Sequence, residues 1–386
     1  MVKRTVLFFL LLVSLSVSSL ATRFSVLTCS PGEEAYSLFG HTGLRYADSD
    51  KGVDIVFSYG YFDFSAPGFI WRFILGETDY MVGAVPYSSF LNEYRERGSA
   101  VTEQLLALSP IQEQLLFDAL IENCSLENRV YRYNYFYNNC TTKIRDRLIS
   151  VVQSSSGDGI EGVTFRDELS RMLAAHPWYS FGINLLLGCD VDKPASRSTL
   201  QFIPENFMND LDNVMITDSL GHQRPLVEET FLPVAGVNSS AERSNLTPFN
   251  VSLLLLLFTF IVMLCEVRNR KTYWLYDVFL MSLQGLSGAL LLFMALFSEH
   301  PAVDSNWLLL LLNPVALMLL PVLVCQAVKG KHVTVAWVQI FLVLAFFVTA
   351  ILDLQSYPAP IYFCALALLA RSLFYVYKKN ICELEF

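Results

Sequence analysis

Charge is what this sequence has least of. Only 16% of its 386 residues are Asp, Glu, Lys or Arg, against about 25% in a typical soluble domain. That shortage excludes a wholly soluble chain. Disorder is excluded as well, because 53% of the residues are hydrophobic and 13% aromatic, far above compositions too polar to bury a core. A basic excess is missing too. The formal net charge is −9, and residues 22–248 hold 17 Lys and Arg against 29 Asp and Glu. A nucleic acid would need a basic face, so no such partner is expected. Histidine is scarce, with five in the whole chain. No CxxC or Cys/His spacing suggests zinc, so neither a metal nor a cofactor is expected.

The apolar residues that are present are not spread evenly. Residues 1–21 read as a secretory signal: Lys3 and Arg4 start it, Val6 to Val17 form an apolar stretch, and Ser19-Leu20-Ala21 offers small residues for cleavage. An uncleaved anchor helix is the alternative. Five further stretches, about 249–267, 275–297, 306–327, 335–353 and 359–377, each approach the roughly 20 residues that cross a bilayer. The joints between them alternate in charge. Arg268, Arg270 and Lys271 follow the first span, Lys329 and Lys331 the third, Lys378 and Lys379 the fifth. Joints 298–305 and 354–358 have no Lys or Arg. Positive joints face the cytoplasm, which places the segment before the first span outside and the C-terminus inside. The expected organisation is a signal (1–21), an exported domain (22–235), a polar linker (236–248) and an all-α membrane domain of five spans (249–386).

The exported part reads as α+β. Residues 41–47 and 53–59 are strand-like runs around a polar turn, and 80–86 and 101–106 are further strands. Helices are expected over 88–97 and 110–123, the latter started by Ser109 and Pro110. Residues 141–152 form an amphipathic helix with Ile144, Leu148, Val151 and Val152 on one side. Residues 154–162 look like a loop. The dense aromatics over 57–73 and 131–137 are expected to be packed core. His300 and Asp353, near outer span ends, read as solvated loop residues.

Four of the eight cysteines, Cys29, Cys124, Cys140 and Cys189, are exported, where disulfides are permitted. Cys140 differs in kind. It stands in YNYFYNNCTTKIRDRL, just before a helix. A thiol there meets the positive end of the helix dipole and free backbone N–H groups, which favour the nucleophilic thiolate. It is a nucleophile or a structural cysteine on position alone. A nucleophile needs a base, and the exported part offers His41, His176 and His222. His41 opens a strand after Gly40, so a strand-borne His facing a helix-borne Cys is the preferred dyad.

The motifs LFGHTGLRY, FSYGYFDFSAPGF, YNYFYNNCTTKIRD and HPWYSFGINLLLGCDVDK resemble the Lnb family of bacterial lipoprotein N-acyltransferases over most of residues 24–210. The His-then-Cys order is similar to the circularly permuted branch of the papain-like NlpC/P60 group, which includes lecithin:retinol acyltransferase. The resemblance implies a permuted papain-like fold with Cys140 as nucleophile and His41 as base. It implies transfer of an acyl chain from a phospholipid, through a cysteine thioester, to the α-amine of a diacylglyceryl-cysteine lipoprotein. The partners would be that donor, that acceptor and the lipid bilayer of a bacterial inner membrane. Asp54 and Tyr59 lie on opposite faces of one strand, so at most one orients the imidazole; Tyr59, in the shared YGYFDF motif, is preferred over Asp54 and Asp63. Asn139 is expected to offer an oxyanion donor or to cap the helix. Arg145 is read as a partner for a lipid phosphate or as a surface residue. Asp192, in a shared motif, is grouped with the substrate-binding residues. A cell-wall peptidase of the NlpC/P60 type and a membrane-anchored binding module are the competing readings.

Overall fold

The computed structural model describes residues 22–152, 160–217, 221–237, 246–328 and 333–384. The signal segment, most of the 154–162 loop, most of the linker, and Lys329 and Lys331 lie outside the described residues. The chain forms two compact units. One comprises Met1–Phe62, Asp79–Asp158 and Gln201–Ser239; the other comprises Asp63–Thr78, Gly159–Leu200 and Ser240–Phe386.

The first unit is built on one antiparallel sheet. Its strands are β1 (Thr22–Cys29), β2 (His41–Asp48), β3 (Val53–Tyr61), β4 (Asp79–Pro86), β5 (Val101–Leu106), β6 (Val130–Arg132) and β7 (Val227–Val234). Their order is β7-β5-β1-β2-β3-β4-β6. β1 is an interior strand, and its last six residues are buried. It is covered on both faces, so it lacks the alternation that makes a strand legible. The helix Pro110–Cys124 starts at a full capping box between Ser109 and Gln112, as the Ser-Pro pair predicts. With Cys140–Val152 it covers one face of the sheet, where Phe24, Val26, Leu44, Phe57 and Tyr59 meet Leu116, Leu120, Ile144 and Leu148. Each such side chain contributes about 1.5–3 kcal/mol on full burial. The helix Tyr87–Glu96 covers the other face, placing Phe90 and Tyr94 on Leu27, Cys29 and Val56.

Among the described residues, the second unit contains five helices long and apolar enough to span a membrane: Pro248–Asn269, Trp274–Phe297, Trp307–Gln326, Thr334–Ile351 and Ala359–Tyr377. These agree closely with the hydropathy reading. Amide pairing between Gln284 and Gln339 joins the second and fourth spans inside the bundle. A buried charge cluster ties the fifth span to the first and the second. Arg371 of the fifth span donates to Asp277 of the second (2.6 Å) and to Glu266 of the first (2.6 Å), and Tyr375 donates to Asp277. Such charges survive in an apolar bundle only because they are paired.

Two stretches upstream in sequence also belong to this unit. The helix Pro177–Leu186 and the turn after it are fastened to the span joints. Gly188 N–H donates to Ala302 O (2.6 Å), Cys189 N–H to Ser305 O (3.0 Å), and Asn306 Nδ2 to Leu185 O (2.7 Å). Gln355 donates to Leu187 O (3.2 Å). The joints that hold this stretch are the two without Lys or Arg. The second stretch holds the helix Phe69–Leu75, attached to the end of the second span. Its aromatics depart from the packed-core reading: Phe64, Trp71 and Phe73 are exposed. His300, read as a solvated loop residue, instead donates from Nε2–H to Phe73 O (2.6 Å) and packs its ring on Phe73.

Replacing Arg371 by Met strands two buried carboxylates. The expected cost is about 3–5 kcal/mol, read as a lowered thermal midpoint of the detergent-solubilised protein. Restoring charge balance with Glu266→Gln and Asp277→Asn recovers much of it.

Candidate functional site

The site is set by how the chain enters two elements at one end of the sheet. Gly40 carries φ +79°, and a Cβ there would stand 2.5 Å from Cys29 O. Only glycine takes this left-handed, crowded turn without strain, as the sequence predicts. The turn starts β2 at His41, opposite Cys29 of β1. On the other element, a tight loop precedes Cys140. Asn134 and Asn138 exchange backbone hydrogen bonds, and Asn138 Nδ2 donates to Arg132 O (2.6 Å). Asn139 then caps the helix: its Oδ1 accepts from Thr142 N–H (2.9 Å), and its own N–H donates to Thr142 Oγ1 (2.8 Å). Cys140 is thus the first residue of its helix, where the uncompensated N–H groups and the dipole favour negative charge.

His41 and Cys140 meet there. Burial opposes ionisation of the thiol, but the charge of His41 and a hydrogen bond from it outweigh that. The Thr42 backbone N–H and the Thr141 hydroxyl add to the effect, and the Cys140 pKa falls from 9.0 to about 7. Thr141 Oγ1 lies 3.8 Å from Sγ and 3.0 Å from Thr42 Oγ1. Cys140 is partly accessible, whereas the neighbouring Cys29 is buried. Burial pushes the Cys29 thiol well up, although Tyr94 hydrogen-bonds it. The two thiols therefore differ in kind: one is poised to ionise near neutral pH and the other is held protonated. All seven cysteines from Cys29 to Cys364 are free, so no bridge joins Cys29, Cys124 and Cys189.

The side chain hydrogen-bonded to the His41 imidazole is Ser58, not Tyr59. Ser58 Oγ lies 2.8 Å from His41 Nε2. Ser58 pairs with Gly43, two residues from His41 on the same face of β2. A β-bulge at Gly60 (φ +112°) follows, where a Cβ would lie 3.8 Å from His41 Cε1. With Nε2 engaged, Nδ1 is the nitrogen left for the thiol. Tyr59 points to the opposite face, is 2% exposed, and donates to Asn123 Oδ1 (2.9 Å). Asp54 shares the Ser58 face but sits farther along β3, paired with Arg45 (2.8 Å). The usable signal for Ser58 was parity: a hydroxyl in FSYGY on the His41 face, opposite Gly43.

Three other expected site residues are occupied elsewhere. The Asn139 amide gives both protons to carbonyls, of Tyr135 (2.9 Å) and Phe202 (2.8 Å), so it caps and anchors and has no donor for a substrate. Arg145 pairs with Asp146. Five residues along a helix turn it about 140° from Cys140. Asp192 belongs to the second unit. It receives Arg166 Nε (2.6 Å) and the Ser356 N–H (3.2 Å), while Arg166 also holds Asn184, Leu187 and Gly188. That network fastens the chain to a span joint and leaves no carboxylate for a ligand.

Sequence reading also passed over the tyrosines. Tyr131, Tyr133 and Tyr135 all sense the charge of Cys140, and burial holds their phenols protonated. The hydroxyls of Tyr131 and Tyr135 are buried with no hydrogen-bond partner. Buried donors without partners leave hydrogen-bonding capacity unspent beside the Cys140 thiol. Among the described residues no cluster of His, Cys, Asp and Glu is arranged for a metal.

Alkylation of Cys140 by iodoacetamide should rise with pH through a midpoint near 7. The lowered pKa means that thiolate is present above that value and lost below it. His41→Ala removes the dominant lowering influence and leaves burial in control. The midpoint should then move above 9, cutting the rate at pH 7 on the order of 100-fold, two pH units of ionisation. Ser58→Ala should disturb the profile through the imidazole, while Tyr59→Phe leaves it unchanged and costs about 1 kcal/mol of stability.

Residues 15–167 match the model of the Lnb N-terminal periplasmic domain, and residues 240–380 match that of the Lnb transmembrane domain. Comparison with curated proteins and with solved structures gives no match. With an α+β domain ahead of five spans and both family models matched in order, the chain belongs to the Lnb family.

Proposed function

We propose that this protein is a lipoprotein N-acyltransferase of the bacterial inner membrane. The observation that carries the reading is the Cys140 thiol, lowered to about 7 beside His41 and Ser58, in a chain with five spans. Membership of the Lnb family supports it. The donor is a phospholipid and the acceptor is the α-amine of a diacylglyceryl-cysteine lipoprotein. Neither a metal nor a cofactor enters the reaction.

The chemistry is two acyl transfers. His41 takes the Cys140 proton, and the thiolate attacks an acyl ester carbonyl of the donor. The carbonyl oxygen becomes an oxyanion, for which the N–H groups opening the Cys140–Val152 helix and the free Tyr131 and Tyr135 hydroxyls are available donors. Collapse of the intermediate breaks the ester C–O bond. His41 returns its proton to the departing lysophospholipid oxygen, and the acyl chain remains as a thioester on Cys140. The lipoprotein amine then attacks the thioester, His41 removes a proton from the nitrogen, and the thiolate leaves and is reprotonated. The products are an amide and the starting enzyme.

The spans keep the chain at the surface where both lipid-anchored substrates lie. The joints that hold Pro177–Leu186 carry no Lys or Arg, which supports a periplasmic position for the catalytic domain. Five crossings then put the C-terminus in the cytoplasm.

Cells relying on a Cys140→Ser variant should accumulate lipoproteins with a free N-terminal amine, read by mass spectrometry of their N-terminal peptides. Unchanged N-acylation would exclude this nucleophile. Incubation of the wild-type protein with phospholipid should add one acyl mass to the Cys140 peptide, released by neutral hydroxylamine. A peptidase or a binding module would give no such adduct.

A further inference from the structure

The connection between β3 and β4 contains an element that the proposed chemistry does not use. The helix Phe69–Leu75 reads FIWRFIL and has no buried residue. Ile70 is 74% exposed, Trp71 56%, Phe73 44%, and the preceding Phe64 63%. An aqueous surface rarely carries so concentrated an apolar patch without a partner.

The position of this helix is fixed against the second span. Three successive carbonyls at its C-terminal end are engaged by residues just past that span. Glu299 N–H donates to Leu75 O (2.7 Å), Ser298 Oγ to Ile74 O (2.8 Å), and His300 Nε2 lies 2.6 Å from Phe73 O. The Trp71 ring meets Phe293 at 5.3 Å, and Phe293 meets Phe297 at 5.2 Å. Phe293 lies four residues inside the span's end at Phe297, about 6 Å below it along the axis. The indole is thus held at the depth where hydrocarbon gives way to headgroups, a level that tryptophan favours. The apolar surface of the helix also runs on into the lipid-facing surface of the span, where Leu286, Leu290, Leu296 and Phe297 are exposed.

We infer that Phe64 and the helix Phe69–Leu75 form a lipid-contacting element that lies in the membrane interface, with Ile70, Trp71 and Phe73 against phospholipid. The occupant is bilayer phospholipid, because the patch continues a surface that a bilayer already covers. A protein partner would have to sit within the same leaflet. The helix leaves β3 through the segment after Tyr61, so the strand that carries Ser58 is continuous with a lipid-contacting segment. This inference depends on the second span lying in a bilayer and not on the acyl-transfer reading.

Photo-crosslinking tests it. The full chain is reconstituted in vesicles of phosphatidylethanolamine and phosphatidylglycerol with p-benzoylphenylalanine at Ile70, at Leu286 on the span, or at Lys51 in the exposed β2–β3 turn. After irradiation the peptides are read by mass spectrometry. Phospholipid adducts at position 70 should approach those at 286 and exceed those at 51 at least tenfold. Adducts at 70 no more frequent than at 51, with 286 labelled, would overturn the assignment. Adducts at 70 to a second copy of the chain in place of lipid would overturn it too.

Discussion

Everything about the first unit follows from one opposition, between burial that resists a charge on Cys140 and the groups that impose one. A thiol in a packed interior stays protonated, as Cys29 does close by. Cys140 escapes because it is the first residue of a helix, faces His41, and receives the Thr42 N–H and the Thr141 hydroxyl. None of these donors is on a mobile loop end. His41 and Thr42 open a strand in the middle of the sheet, and Thr141 is fully buried. The sheet and the helix therefore matter as the frame that keeps several dipoles aimed at one sulfur atom.

The second unit solves a different problem with related means. Its apolar helices gain little from packing on one another rather than on lipid, so polar contacts specify which helices meet. Arg371 gathers three spans through two carboxylates and a tyrosine, and Gln284 with Gln339 adds a fourth. At the other end, Arg166 and Asp192 fasten the upstream chain to a span joint. The bundle is thus defined by a few polar contacts set in a large apolar background.

Much of this was legible in the sequence because the governing signals are local. Span boundaries follow from runs of apolar residues, and the helix at Pro110 from its cap. The Cys140–His41 pair followed from a helix start and a strand start, each marked by neighbours such as Asn139 and Gly40. What escaped detection depends on partners distant in the chain. Ser58 could be chosen over Tyr59 only by knowing which face of β3 the imidazole occupies. Asn139 seemed available to a substrate until its amide met Phe202, sixty-three residues away. Asp192 seemed a ligand because motif membership does not distinguish a binding carboxylate from one that holds an arginine. The aromatics of 64–73 read as core because sequence hydrophobicity does not say whether water, protein or lipid lies outside.

The Asn139 cap carries a consequence for the order of assembly. One of its two amide protons is received by the carbonyl of Phe202, beyond the whole stretch that docks on the spans. A chain entering the periplasm from its N-terminus delivers Cys140 long before Phe202. During that interval the amide lacks one of its two acceptors. The first turn of the helix that carries Cys140 is thus completed by a residue on the far side of the stretch fastened to the spans, and the cap closes only once that stretch has been passed.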